Sequence, residues 1–382
     1  MLFCITTTIL IGYIYIRLKF QFWSLQPVFH LYDIKHWIYT DRIINQDPPC
    51  INKYINFKNI ETYNTTQLST TLQKETAIFI LNNYLRSKTV NYSPSEDDIF
   101  SYLSSNVGKS FVSIYRDRTI REQSILGVIT ARPLFVSFSG KSPLLVNYID
   151  NLTVRKNARK QGIAPQLIQT HHYNIRNMEK NVNICLFKRE GDMTAIVPLT
   201  TYNTIGYAIS DIRNTTIVID NYHTLEKINA KNFMYFKNIV KEAMYKYDCT
   251  INMDILTVTE LVLKSKLIIY VLLDKTHPIC CYILRNSLCT VEETIHCMDL
   301  IGSINMSASD TLFLNGLKKI CKRIETKHNI GRILIESTGD SHRLIQELSK
   351  HNIKQQMKCP TAFFLYNYAH YSIPPEKCFF LY

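Results

Sequence analysis

Apolar residues along this chain follow two rhythms. Between residues 65 and 86 they recur at helical spacing (Leu68, Leu72, Ala77, Phe79, Ile80, Tyr84), which predicts an amphipathic helix with one buried face. A second, short helix is predicted over 95–104, behind a Ser93-Pro94 start. Three strand-like apolar runs follow, at 110–115, 124–133 and 144–154. A helix then opens at Pro165, where a first-turn N–H has no partner to lose, and 183–188 reads as another strand. Residues 29–60, broken by Pro48-Pro49, show no rhythm and read as irregular. A similar order recurs downstream. It runs through a helix over 229–245, strands at 267–273 and 279–284, and a helix from the Ser309-Asp310 cap. A strand at 333–335, a short helix over 341–348 and a last strand at 362–368 complete it. The pattern predicts an α/β chain.

Composition narrows this. With 382 residues, 46% of them hydrophobic, the chain can bury one large core or two smaller ones. Eleven glycines and 12 prolines are too few for collagen-like or propeller repeats. The net charge of +13 admits nucleic acid, a membrane surface or anionic small ligands as partners. No basic stripe interleaves with aromatics, and no helix-turn-helix, zinc-finger or RNA-binding signature occurs, so no nucleic-acid partner is expected. The charge peaks at Arg155 to Lys160. Eleven cysteines without Cys-x-x-Cys spacing give neither a zinc site nor a disulfide framework, and scattered thiols fit a reducing, cytoplasmic setting. Residues 1–16 are largely apolar and are followed by Arg17 and Lys19. That stretch falls short of the about 20 residues a spanning helix needs, and its flanking charge would keep an anchored chain on the cytosolic side. For residues 1–20 a membrane anchor and a packed N-terminal extension both stay open.

The densest chemistry lies at residues 150–169. An apolar strand runs into a basic turn, Arg159-Lys160-Gln161-Gly162-Ile163-Ala164, and then a helix. First-turn amides without partners and the helix dipole make such an end an anion site. Gly162 and Ala164 carry little side chain, so a pyrophosphate can approach the backbone, and Arg159 and Lys160 supply counter-charge. The spacing Arg159-x-x-Gly162-x-Ala164 resembles the coenzyme A pyrophosphate turn of the GNAT acyltransferases.

A second motif sharpens the match. Gln21-Phe22-Trp23-Ser24-Leu25-Gln26-Pro27-Val28 resembles the Gln-Phe-Trp-Asp-Thr-Gln-Pro-Val segment of the N-myristoyltransferases, a divergent GNAT family. The segment from Asp150 to Pro165 is similar to that family's Asn-Phe-Leu-Cys-Val-His-Lys-Lys-Leu-Arg-Ser-Lys-Arg-Val-Ala-Pro, in the family's order. Weaker echoes are Asn91-Tyr92-Ser93-Pro94, Gly127-Val128-Ile129 and Phe364-Leu365-Tyr366-Asn367-Tyr368.

The resemblance implies two tandem GNAT-like units related by a pseudo-two-fold axis, their mixed twisted sheets flanked by helices. Residues 21–212 would form the acyl-CoA half and residues 213–382 the peptide half. It implies transfer of a myristoyl group from myristoyl-CoA, a co-substrate, to the N-terminal glycine of proteins or peptides, without metal or prosthetic group. The backbone amides of Asn151 and Leu152 would form the oxyanion hole, which requires a strand bulge to free them from the ladder. The terminal carboxylate of Tyr382, at the end of the apolar run Phe379-Phe380-Leu381-Tyr382, would be the base. Gln21, Phe22, Trp23, Thr153, Val154, Ile163 and Ala164 would line the acyl-CoA, and Tyr84 and Asp150 would face the substrate. On the peptide side the chain departs from the family. Leu85-Arg86-Ser87-Lys88 stands where the family carries an acidic run, and Thr204-Ile205-Gly206 replaces a Tyr-Trp-His stretch. Two rival readings remain: a GNAT acetyltransferase using a shorter acyl-CoA, and an inactive membrane-tethered protein that binds acyl-CoA or a partner.

Overall fold

The computed structural model describes residues 2–84, 90–104, 108–118, 124–191, 195–216, 222–292, 294–328 and 330–382. In chain order its main strands are β1 (Ile60–Asn64), β2 (Phe111–Arg116), β3 (Ile125–Phe138), β4 (Leu144–Val154), β5 (Ile184–Glu190), β6 (Thr200–Ala208) and β7 (Cys249–Asn252). They continue as β8 (Leu267–Asp274), β9 (His277–Val291), β10 (Ile295–Asn305), β11 (Ile330–Glu336), β12 (Gln355–Tyr366) and β13 (Cys378–Leu381). All join one twisted sheet in the order β13-β7-β3-β4-β5-β12-β6-β11-β10-β9-β8, with β2 and then β1 added at β3. Its helices include α1 (Leu2–Lys19), α2 (Thr70–Asn83), α3 (Glu96–Ser104), α4 (Ile163–Met178) and α5 (Asp310–His328).

The sheet repeats itself. β3 pairs antiparallel with β4, β4 pairs parallel with β5 across the α4 crossover, and β5 pairs antiparallel with β12. Likewise β9 pairs antiparallel with β10, β10 pairs parallel with β11 across α5, and β11 pairs antiparallel with β6. Each unit is thus completed by a strand from the other: β12 lies far downstream of the first, β6 precedes the second, and the two pair with each other. This is the tandem GNAT-like arrangement. β7 and β13 extend the first unit further, β7 pairing antiparallel with β3 and parallel with β13.

Two glycines set distances that the site depends on. A Cβ on Gly127 would stand 2.6 Å from Leu167 Cδ1, so its absence lets α4 press onto β3 beside the end of β4. A Cβ on Gly302 would stand 2.8 Å from the Phe380 carbonyl oxygen, so β10 can pass directly beneath β13.

Several sequence expectations need correction. α4 opens at Ile163 with Gly162 as its N-cap, not at Pro165; proline fits there because first-turn amides have no helical partner. α2 begins at Thr70, where Ser69 Oγ accepts from the Leu72 amide at 3.2 Å, and residues 65–67 form only a 3₁₀ turn. Residues 29–60 include a short helix, Ile34–Ile38. β6 and β10 were not expected: Thr, Asn, Asp, Gly and Ser interrupt their apolar content and hide the strand rhythm. The N-terminal stretch is helical, with Tyr13 edge-on to Tyr32 at 5.2 Å and Leu10, Ile11, Ile14, Tyr15 and Leu18 exposed. No described helix is long and apolar enough to cross a membrane.

Candidate active site

Pairing between the parallel strands β4 and β5 stops at Ile149–Phe187. Beyond that point β5 stays paired with β12, and a cleft of about 1470 Å³ opens beside the C-terminal part of β4. Clefts at the carboxyl ends of parallel strands are the usual ligand sites of α/β sheets.

The bulge that the resemblance calls for at Asn151 and Leu152 is present. Thr130 pairs with Asp150 and Val128 with Thr153, so Asn151 and Leu152 together oppose Ile129 alone. Asn151 takes a left-handed conformation (φ 50°), which asparagine tolerates better than most residues. Side chains hold the bulge. Asn151 Nδ2 donates to Thr130 Oγ1 (3.1 Å), Thr130 Oγ1 donates to the Asp150 carbonyl (3.1 Å), and Thr153 Oγ1 donates to the Asn151 carbonyl (3.0 Å). The Asn151 amide donates to Asp150 Oδ1 at 2.8 Å. A carboxylate therefore holds one of the two implied oxyanion donors in the free protein.

The basic turn closes the far end of β4. Lys160 (φ 64°) and Gly162 (φ 78°) are both left-handed, just before the first turn of α4, whose leading amides have no helical acceptor. Arg159 reaches elsewhere: Nη2 donates to the Asn83 carbonyl (2.7 Å) and Nε to the Val154 carbonyl (3.2 Å). It satisfies an orphan carbonyl at the C-terminus of α2, where a cation is favourable, and clamps the turn there while leaving its charge beside it.

Of the octet at Gln21, only Trp23 borders the cleft. Gln21 is exposed, and the Phe22 ring packs edge-on to Trp23 and Tyr54. The cleft wall does take in Tyr84, Asp150, Asn151, Leu152, Thr153, Val154, Arg159, Lys160, Gly162, Ile163, Ala164 and Tyr382. Leu85, Arg86, Ser87 and Lys88 lie outside the described residues.

The cleft floor carries charged groups that sequence reasoning passed over. Glu336 accepts from Lys188 Nζ (2.8 Å), Tyr202 OH (2.8 Å) and Tyr382 OH (2.5 Å), and Lys188 also donates to Tyr382 OH (2.9 Å). Burial alone would raise the Glu336 carboxyl, but the Lys188 ammonium and these hydrogen bonds hold it below its ordinary range. Burial and the Glu336 charge push the Tyr382 phenol up, so it stays protonated and donates. Arg285 pairs with Asp299 at 3.2 Å and stands 5.0 Å over the Tyr382 ring.

His171, His172 and Cys185 also border the cleft. Burial pushes both imidazoles down to about 3 and the thiol up to about 12, so all three are neutral. In the unfolded chain the histidines titrate near 6.5. Between about pH 3 and 6.5 the unfolded state therefore binds more protons, and stability falls as pH drops through that window but not above it. The melting temperature should fall steeply from pH 6.5 to 4. His172→Phe, which keeps the ring packed at 4.7 Å from Tyr366, should flatten that fall; an unchanged slope would contradict the assignment.

By sequence, no family model and no curated protein matches the chain. By structure, it is similar to Saccharomyces cerevisiae N-myristoyltransferase in crystals with bound myristoyl-CoA. One match has a TM-score of 0.71 and 13% identity, covering 93% of this chain and 89% of that one. Another has a TM-score of 0.68 and 14% identity, covering 93% and 94%. A third, with bound myristoyl-CoA and inhibitors, has a TM-score of 0.70 and 13% identity over 93% and 91%. The chain has the N-myristoyltransferase fold.

Proposed function

We propose that this chain is an acyltransferase that moves a myristoyl group from myristoyl-CoA to the N-terminal glycine of acceptor peptides. The observation that carries the reading is the bulge at Asn151 and Leu152, which shares one cleft with the left-handed basic turn and with Tyr382. The cleft is larger than the about 300–1,000 Å³ of ordinary ligand pockets, which suits a nucleotide, a long acyl chain and a peptide together.

In this reading the CoA phosphates dock on the amides around Lys160 and Gly162, and the acyl thioester lies along the end of β4. Its carbonyl oxygen takes the Asn151 and Leu152 amides. Asp150 leaves the Asn151 amide for the incoming ammonium, exchanging one charge-assisted hydrogen bond for another and uncovering the oxyanion donor. The α-carboxylate of Tyr382 accepts the amine proton. The amine nitrogen then attacks the carbonyl carbon and a tetrahedral oxyanion forms on the two amides; its collapse breaks the C–S bond, and the second amine proton passes to the sulfur, so the amide forms and CoA leaves as its thiol. Cys185 takes no part as a nucleophile, because its buried thiol stays protonated.

The test is incubation with acetyl-, myristoyl- and palmitoyl-CoA and a set of glycyl peptides, read by mass spectrometry. The expected product carries one myristoyl group on the α-amine, formed fastest from myristoyl-CoA. Acetyl transfer alone, or acyl-CoA binding with no transfer to any peptide, would overturn the reading.

A further inference from the structure

The cleft holds a buried cation with no carboxylate in contact: Asp150, held by the Asn151 amide, favours its charge only through space. Arg132, on β3, is 3% exposed and borders the cleft. Its buried Nη1 has no hydrogen-bond partner, and among the described residues no carboxylate pairs with its guanidinium within 4 Å. It lies against two rings, 5.2 Å from the centroid of Tyr102 and 4.9 Å from that of Tyr148. Aromatic faces offset part of a cation's desolvation but accept none of the N–H donors at the guanidinium edge. Three other cations that border the cleft are matched: Lys188 with Glu336, Arg285 with Asp299, and Lys266 with Asp97 and Asp98. A position that served packing alone would be better filled by an apolar side chain.

The place of Arg132 tells which ligand would complete it. It sits opposite Tyr148 in the β3–β4 register, two residues from Thr130 at the bulge, or about 7 Å along the strand. The basic turn lies on the other side of the bulge, past Val154. With the thioester at the bulge and CoA running to the turn, Arg132 faces the side from which the acceptor arrives. The acyl chain carries no charge to offer it.

We propose that Arg132 is a specificity residue that takes an Asp or Glu side chain, within two residues of the acylated amine, in a bidentate hydrogen-bonded pair. A guanidinium backed by two rings leaves its planar edge to a planar carboxylate. The inference rests on the acyl-transfer reading and adds the substrate class: acceptors with an acidic residue just after the glycine.

The test uses glycyl peptides that differ only in carrying Glu, Gln or Lys at the second or third residue. Both acylation and binding by calorimetry, with a non-hydrolysable myristoyl-CoA thioether present, are measured. At the preferred position the Glu peptide should exceed the Gln peptide by roughly tenfold or more in kcat/KM and in affinity, with Lys the poorest. In Arg132→Met that ratio should collapse to about one; in Arg132→Lys part of it should survive. Arg132→Met should melt no lower than the native protein, since it removes an unpaired buried charge. Equal use of Glu and Gln by the native protein, or a preference that survives Arg132→Met, would overturn the proposal while the acyl-transfer reading stands. If myristoyl-CoA binds but no peptide is acylated, the transfer reading fails. The calorimetric ratio then still decides on Arg132.

Discussion

Gly162→Asp is expected to weaken myristoyl-CoA binding by about a hundredfold or more, whereas Gly162→Asn costs less than about tenfold. Both side chains fit, because a Cβ at this position meets nothing nearer than Gln166 Nε2 at 4.0 Å. Both residues tolerate the left-handed backbone at φ 78°. The pair therefore differs by one negative charge at the head of α4. Two like charges about 4 Å apart at a protein surface repel by about 4 kcal/mol, and part of that, after solvent and salt screening, covers the expected loss. The left-handed backbone strains both side chains alike, and the carboxylate suits the helix dipole, so the Asp variant should fold no less stably than the Asn variant. Between the two, binding falls while stability does not, which no unfolding artefact can produce. Equal affinity of the Asp and Asn variants by calorimetry would place the phosphates elsewhere.

How far the site could be read from the chain follows from which of its parts are local. The strand 144–154, the basic turn and the following helix to Met178 stand within 35 residues and are punctuated by Gly162 and Pro165, so their order and chemistry are legible. The helix start was missed by two residues because a left-handed glycine serves as the N-cap. The resemblance supplied the need for a bulge, and Asn151 at that point has the φ tolerance a bulge demands. What depended on distant residues was not legible. Arg159 reads as a phosphate ligand, yet its guanidinium spans to Asn83, whose carbonyl is free only because α2 ends there. The exchange of β6 and β12 between the two units pairs Thr204 with Cys359, a separation no local rhythm reports. Arg132 was visible as a lone charge within the apolar run from Ile125 to Phe138; that it lacks a partner emerges only once Tyr102 and Tyr148 pack against it. Lys188 and Glu336, 148 residues apart, could be joined only by the fold.

Extending the chain beyond Tyr382 by a few residues is expected to lower turnover by about 10²–10⁴-fold, the range of a lost general base, with acyl-CoA binding retained. Tyr382 is 2% exposed, and its ring lies edge-on to Phe363 at 5.2 Å and to Tyr148 at 5.7 Å. Pairing of β13 with β7, and the close passage at Gly302, fix the strand that leads to it. The α-carboxylate of this residue would then be held at the cleft wall, where it can take the proton of an incoming ammonium. Each added residue carries the terminal charge up to about 3.8 Å farther from that place. The amine would then stay protonated and unable to attack. Tyr382→Phe separates this role from that of the phenol. It removes the hydrogen bonds to Glu336 and from Lys188, at a stability cost of about 1–3 kcal/mol, but keeps the carboxylate. Turnover should therefore survive in Tyr382→Phe and collapse in the extended chain. A C-terminally tagged protein that acylates at the native rate would reduce Tyr382 to packing, and loss of turnover in Tyr382→Phe at full acyl-CoA affinity would move the proton to the Glu336 cluster.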